Sequence, residues 1–141
     1  MKNLYEIFAE FEKATTQEEK IHVLKSNSGW ALQNILKGTF DPTIQFVIEK
    51  VPYYTPSDSP PGMAYTSIHQ ELGRVYLFEQ NNPRVDSNLS HARKEQILIQ
   101  ILEALEAKEA EIFMNMLLKK QKVKGLNASI VKKAFPGLIS E

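Results

Sequence analysis

Leu4, Ile7, Phe8 and Phe11 recur at the spacing of one helical face, and Asn3 with Glu6 ahead of them makes a capping box. Thr16 and Glu19 repeat that signature and open a second helix carrying Ile21 and Leu24, stopped at Ser26-Asn27-Ser28-Gly29. Ser28 is placed to cap a third helix carrying Trp30, Leu32, Ile35 and Leu36, ending at Gly38. Asp41-Pro42 reads as an N-cap followed by a first-turn proline. On that reading Ile44, Val47, Ile48 and Val51 predict a helix that runs to Pro52.

Residues 52–65, PYYTPSDSPPGMAY, break the pattern: four prolines and a glycine deny both helix and sheet ladders. A loop of this length is functional or mobile, and Tyr53, Tyr54 and Tyr65 either engage a partner or pin it to the bundle. Pinning is the expected use. Helical spacing resumes near Thr66 with Ile68, Leu72, Val75 and Tyr76, and the run Asn81 to Asn88 closes it. Ser90 opens the most apolar helix, burying Ile97, Leu98, Ile101, Leu102 and Leu105. Another, from about Lys108, carries Ile112, Phe113, Met116 and Leu117, and a short one spans 129–135 before Pro136-Gly137. No alternating apolar run marks a strand. The expectation is an all-α fold, a compact single-domain bundle of seven or eight helices covering 1–141, with the Pro/Tyr-rich loop at 52–65.

Charge changes this picture only locally. Seventeen basic and seventeen acidic residues cancel, which argues against a protein that coats nucleic acid over its whole surface. Cysteine is absent, so neither a disulfide framework nor a thiolate metal site can form. The opening residues are too acidic for a secretory signal and no stretch is apolar enough to span a bilayer; a cytoplasmic protein is expected.

Signals for catalysis are weak. His22, His69 and His91 each stand without a second histidine one turn away, and no metal or other cofactor is expected. Glu103, Glu106, Glu109 and Glu111 wrap around their helix and read as a solvated junction, not as paired acid and base. No nucleophile motif is present, and neither an enzyme nor a small-molecule substrate is expected. One cluster stands apart. Lys119, Lys120, Lys122, Lys124, Lys132 and Lys133 follow one another without an intervening acid, and Gly125, Asn127 and Ser129 interrupt them. Glycine suits a helix stop, Asn127 or Ser129 suits the next N-cap, and helix-start amides beside ammonium groups suit a phosphate. The same pattern also describes an ordinary helix–turn–helix whose lysines complement the helix dipole and keep it hydrated.

The ending GLNASIVKKAFPGLI resembles the segment that closes the N-terminal DNA-binding domain of tailed-phage ATP-dependent DNA ligases. TFDPTIQFVIEKVPYY is similar to a helix in those ligases that runs into a proline and a long loop, and the opening helix pair fits as well. The resemblance places Gly125, Ser129 and Phe135-Pro136-Gly137-Leu138 on matching positions and implies an all-helical module that clasps duplex DNA. Ligases form a lysyl-adenylate through a K-x-D-G motif, and this sequence contains none, so the resemblance extends only to the non-catalytic module. It implies a DNA-binding accessory protein of phage DNA metabolism contacting phosphates. With only Arg74, Arg84 and Arg93 as arginines, base readout would be slight. The alternative is an adaptor or inhibitor bound to a phage or host protein partner. The acidic first two helices and the tyrosine loop motivate it.

Overall fold

A computed structural model describes residues 3–60 and 63–140; Pro61 and Gly62 of the proline-rich loop lie outside the described residues. The described residues form seven α-helices and one 3₁₀ segment, without a strand. The helices are α1 (Leu4–Lys13), α2 (Gln17–Ser26), α3 (Trp30–Phe40), α4 (Ile68–Glu71), α5 (His91–Ala104), α6 (Ala107–Leu117) and α7 (Ala128–Ala134). The 3₁₀ segment, Leu72–Phe78, continues α4.

Local capping chemistry starts the helices where the sequence expects. The Asn3–Glu6 box opens α1, Thr16 Oγ1 accepts the Glu19 N–H at α2, and Ser90 accepts that of Arg93 at α5. Ser67 and Gln70 form a second capping box at α4. Gly29, not Ser28, holds the N-cap position of α3. That helix also runs past Gly38 to Phe40, because Gly38 serves packing there: a Cβ on it would lie 2.6 Å from Met116 Sδ.

Helix α6 is the hub. Ala110, Ile112, Phe113, Met114, Met116 and Leu117 are all buried, so it presents apolar surface on several sides. It packs against α1, α3, α4 and α5, whereas α7 reaches the bundle through α2. The core is one continuous cluster that includes Phe11, Leu24, Ile35, Phe78, Leu98 and Val131.

The expected helix over 42–51 does not form. Asp41 is fully buried, and its carboxylate accepts the Thr43 N–H and hydroxyl in a local turn, with the Ser140 N–H on its other oxygen. Beyond it Phe46 and Ile48 point inward with alternating spacing, as β-branched and aromatic residues do on extended backbone. Val47 N–H donates to Phe78 O, and Gln80 N–H to Gln45 O, each at 2.8 Å. This segment is a bridge laid along the end of the 3₁₀ segment. The element after Ser67 also differs from expectation, with four α-helical residues before the chain tightens into the 3₁₀ form.

Candidate functional site

The lysine-rich corner begins where α6 ends. Lys119 N–H donates to Met116 O and Lys120 N–H to Asn115 O, the paired bonds that close a helix with a left-handed residue. That residue is Lys119 itself, with φ +62, at a position usually given to glycine. Its side chain explains the choice. Lys119 Nζ donates to the carbonyls of Gly38, Asp41 and Ile44 at 2.7, 2.7 and 2.6 Å, and lies 5.7 Å from the Phe46 ring centroid. The Gly38 and Ile44 carbonyls are left without backbone partners by the end of α3 and the missing helix, and the Asp41 carbonyl accepts the Ile44 N–H as well. Burial holds the Lys119 ammonium below the usual lysine range, against the pull of the Asp41 charge. Burial alone would raise the Asp41 carboxyl, but hydrogen bonds from Thr43 and Ser140 outweigh it and hold the group low. Lys119 therefore faces the protein interior and leaves the surface cluster.

Lys120, Lys122, Lys124, Lys132 and Lys133 remain exposed, and none forms an ion pair among the described residues. Gly125 adopts φ +85 as the turn requires, with the Lys20 side chain close against it; Lys20 Nζ donates to Phe11 O at 2.9 Å. Asn127 is the α7 N-cap and accepts the Ile130 N–H, while Ser129 is an exposed residue inside that helix. One amide of the corner is closed from within: Lys124 N–H donates to Glu12 Oε2 at 2.9 Å. Glu12 and Glu111 also share a shallow cleft with Lys122. The corner is thus a mixed-charge surface whose backbone donors are partly consumed, not an open row of amides.

The proline-rich loop shows the opposite arrangement. It is tied to the α5–α6 junction: Thr55 N–H donates to Glu103 Oε2 at 2.8 Å, Ser57 pairs with Glu106, and Thr66 N–H donates to Ala104 O at 3.3 Å. Tyr54 is half-buried against the core, and burial, with the Glu111 charge behind it, raises its hydroxyl pKa. Tyr53 and Tyr65, however, are 92% and 95% exposed, so the expectation that the tyrosines pin the loop holds only for Tyr54. Val51 and Met63 are also exposed. Polar contacts and Tyr54 hold this loop while Val51, Tyr53, Met63 and Tyr65 face water, an uncommon concentration of exposed apolar groups.

A third feature was hidden in the sequence. Glu109 is not part of a solvated junction; it is only 6% exposed and lines a cleft with Leu4, Ile7, Trp30 and Ile68. Burial, then the neighbouring Glu106 charge, raises its carboxyl pKa, against a hydrogen bond from the Ile68 N–H. The run Glu103 to Glu111 carries no mark that distinguishes this glutamate, except that position 109 falls on the inner face once α6 is seen to be buried on several sides.

No group of three or more His, Asp or Glu side chains suited to a metal ion occurs among the described residues. Among those residues, too, no helix is long and apolar enough to cross a membrane. Residues 7–125 match a family described as a family of unknown function (DUF6433). The match covers most of the 141 residues, and the chain belongs to that family. No curated protein matches it.

Proposed function

We propose that this chain is a non-catalytic interaction module that engages a protein partner through the loop 51–66, as an adaptor or inhibitor on a replication, transcription or virion assembly. The observation that carries this reading is the near-complete exposure of Tyr53 and Tyr65, with Val51 and Met63, on a loop anchored to α5 and α6. Tyrosine is favoured at interfaces because it buries a large rigid face and ordering its few torsions costs little entropy. The test is co-purification of the full chain with a stoichiometric partner through high salt and nuclease. Tyr53→Ala with Tyr65→Ala should abolish it while leaving helicity intact; a partner retained by the double variant sinks the reading.

A second reading, duplex DNA binding, draws on the exposed Lys120, Lys122, Lys124, Lys132 and Lys133 and on the resemblance to the ligase DNA-binding domain. It ranks second because Lys119 is internal and Glu12 occupies the Lys124 amide. The family match also ends at Gly125, before the α7 segment that carries most of that resemblance. Under this reading about four neutralised phosphates would give a log–log salt slope near −4. Lys120→Glu with Lys124→Glu should eliminate a duplex shift at low salt. A wild-type slope near zero removes the idea. In either role the module would act in the cytoplasm of the host cell and use no cofactor.

A further inference from the structure

The Glu109 cleft lies apart from both surfaces. It opens between α1, the start of α3 and the start of α4, with a volume of about 240 Å³. That is below the roughly 300–1,000 Å³ of typical small-molecule and cofactor sites, so it suits a single side chain. Leu4 and Ile7 supply an apolar wall, and Ile68 N–H donates to the Glu109 carboxylate. Among the described residues no cationic side chain pairs with Glu109. A carboxylate this deeply buried normally has a charge partner. Trp30 stands at the rim, 50% exposed, its ring 4.8 Å from that of His69.

We propose that this cleft receives the arginine side chain of a partner protein, the guanidinium on Glu109, the aliphatic stem along Leu4 and Ile7, and its plane against Trp30. Charge complementarity selects a cation, and three features select arginine over lysine. Guanidinium is planar, stacks on aromatic rings, and loses less hydration than ammonium on entering an apolar site. Ser67, which lines the cleft, follows the exposed Tyr65 by two residues along the chain. The inference rests on the protein-partner reading and adds the partner residue.

Trp30 is the sole tryptophan, so its emission reports the cleft directly. The full chain is titrated with acetyl-Ala-Arg-Ala-amide, with the same peptide carrying citrulline, the neutral isostere of arginine, and with butylguanidinium. The arginine peptide should give a saturable change in emission, at least tenfold tighter than the citrulline peptide and than butylguanidinium. Glu109→Gln, which keeps an acceptor for the Ile68 N–H, should weaken the arginine peptide at least tenfold. Equal binding of the citrulline peptide, or an unchanged dissociation constant in Glu109→Gln, overturns the proposal. Butylguanidinium binding as tightly as the peptide replaces the partner arginine with a small organic cation and overturns it too. Should the variant fail to fold, the Ile68 amide resonance of the wild-type chain decides: it should shift with the arginine peptide alone, and a stationary resonance overturns the assignment. Failure of the partner reading itself is seen separately, in co-purification of the tyrosine variants.

Discussion

The α6–α7 corner and the loop 51–66 carry the residues that stand out most in the sequence, and they use them in opposite ways. In the corner the conspicuous groups are charged, yet the most central one, Lys119, is turned inward onto three backbone carbonyls. In the loop the conspicuous groups are aromatic, yet two of the three tyrosines, Tyr53 and Tyr65, are turned outward. An exposed lysine is the ordinary state of lysine and says little about binding, whereas a lysine turned inward and a fully exposed tyrosine each need a cause. For Lys119 the cause is visible in the structure: irregular backbone after α3 leaves carbonyls that its ammonium satisfies. For Tyr53 and Tyr65 nothing among the described residues supplies one, and the proposed partner would.

The largest effect is expected at Lys119. Lys119→Gly would relieve the left-handed backbone but strand the carbonyls of Gly38 and Ile44 and leave that of Asp41 with the Ile44 N–H alone. Unsatisfied buried acceptors cost about 1–3 kcal/mol each, and a left-handed non-glycine residue costs about 1–2 kcal/mol, so the bonds should win. A net loss of about 2–3 kcal/mol in urea unfolding is expected, while Lys120→Gly at the next, exposed position should change stability by under about 1 kcal/mol. A stabilised Lys119→Gly would mean that strain dominates and that the corner is free to contribute its lysine to the surface.

The loop offers the matching contrast. Tyr54 packs on the core, and Tyr54→Ala should cost about 2 kcal/mol through lost apolar burial. Tyr53→Ala and Tyr65→Ala touch nothing that holds the fold, and each should stay within about 0.5 kcal/mol by thermal unfolding. Equal losses at all three tyrosines would return the loop to a purely structural role.

These contrasts also mark how far the sequence could be read. Capping residues Asn3, Thr16 and Ser90 act on their own neighbours, so a helix start is a local fact and was legible. The segment after Asp41 was not, because its apolar spacing fits a helix and an extended bridge alike. The choice fell to distant groups: Thr43 and Ser140 on the Asp41 carboxylate, the Phe78 carbonyl, and Lys119. The lysine cluster was legible as a run of charge, but charge alone gives no direction to a side chain. Glu109 was illegible for the same reason: its burial follows from α6 being surrounded, which only tertiary packing decides.

The smallest expected effect on stability bears most directly on the corner. Glu12 is exposed, and its single hydrogen bond to the Lys124 amide should contribute no more than about 1 kcal/mol. Glu12→Ala nevertheless frees a backbone donor and removes a negative charge beside Lys122 and Lys124. If the lysines contact phosphates, both changes favour the polyanion, and duplex affinity at low salt should rise several-fold as Lys120→Glu with Lys124→Glu abolishes it. If duplex binding is undetectable in the wild type and Glu12→Ala does not create it, the lysines serve hydration alone. The tyrosine loop is then the region of the two on which the proposed partner is to be sought.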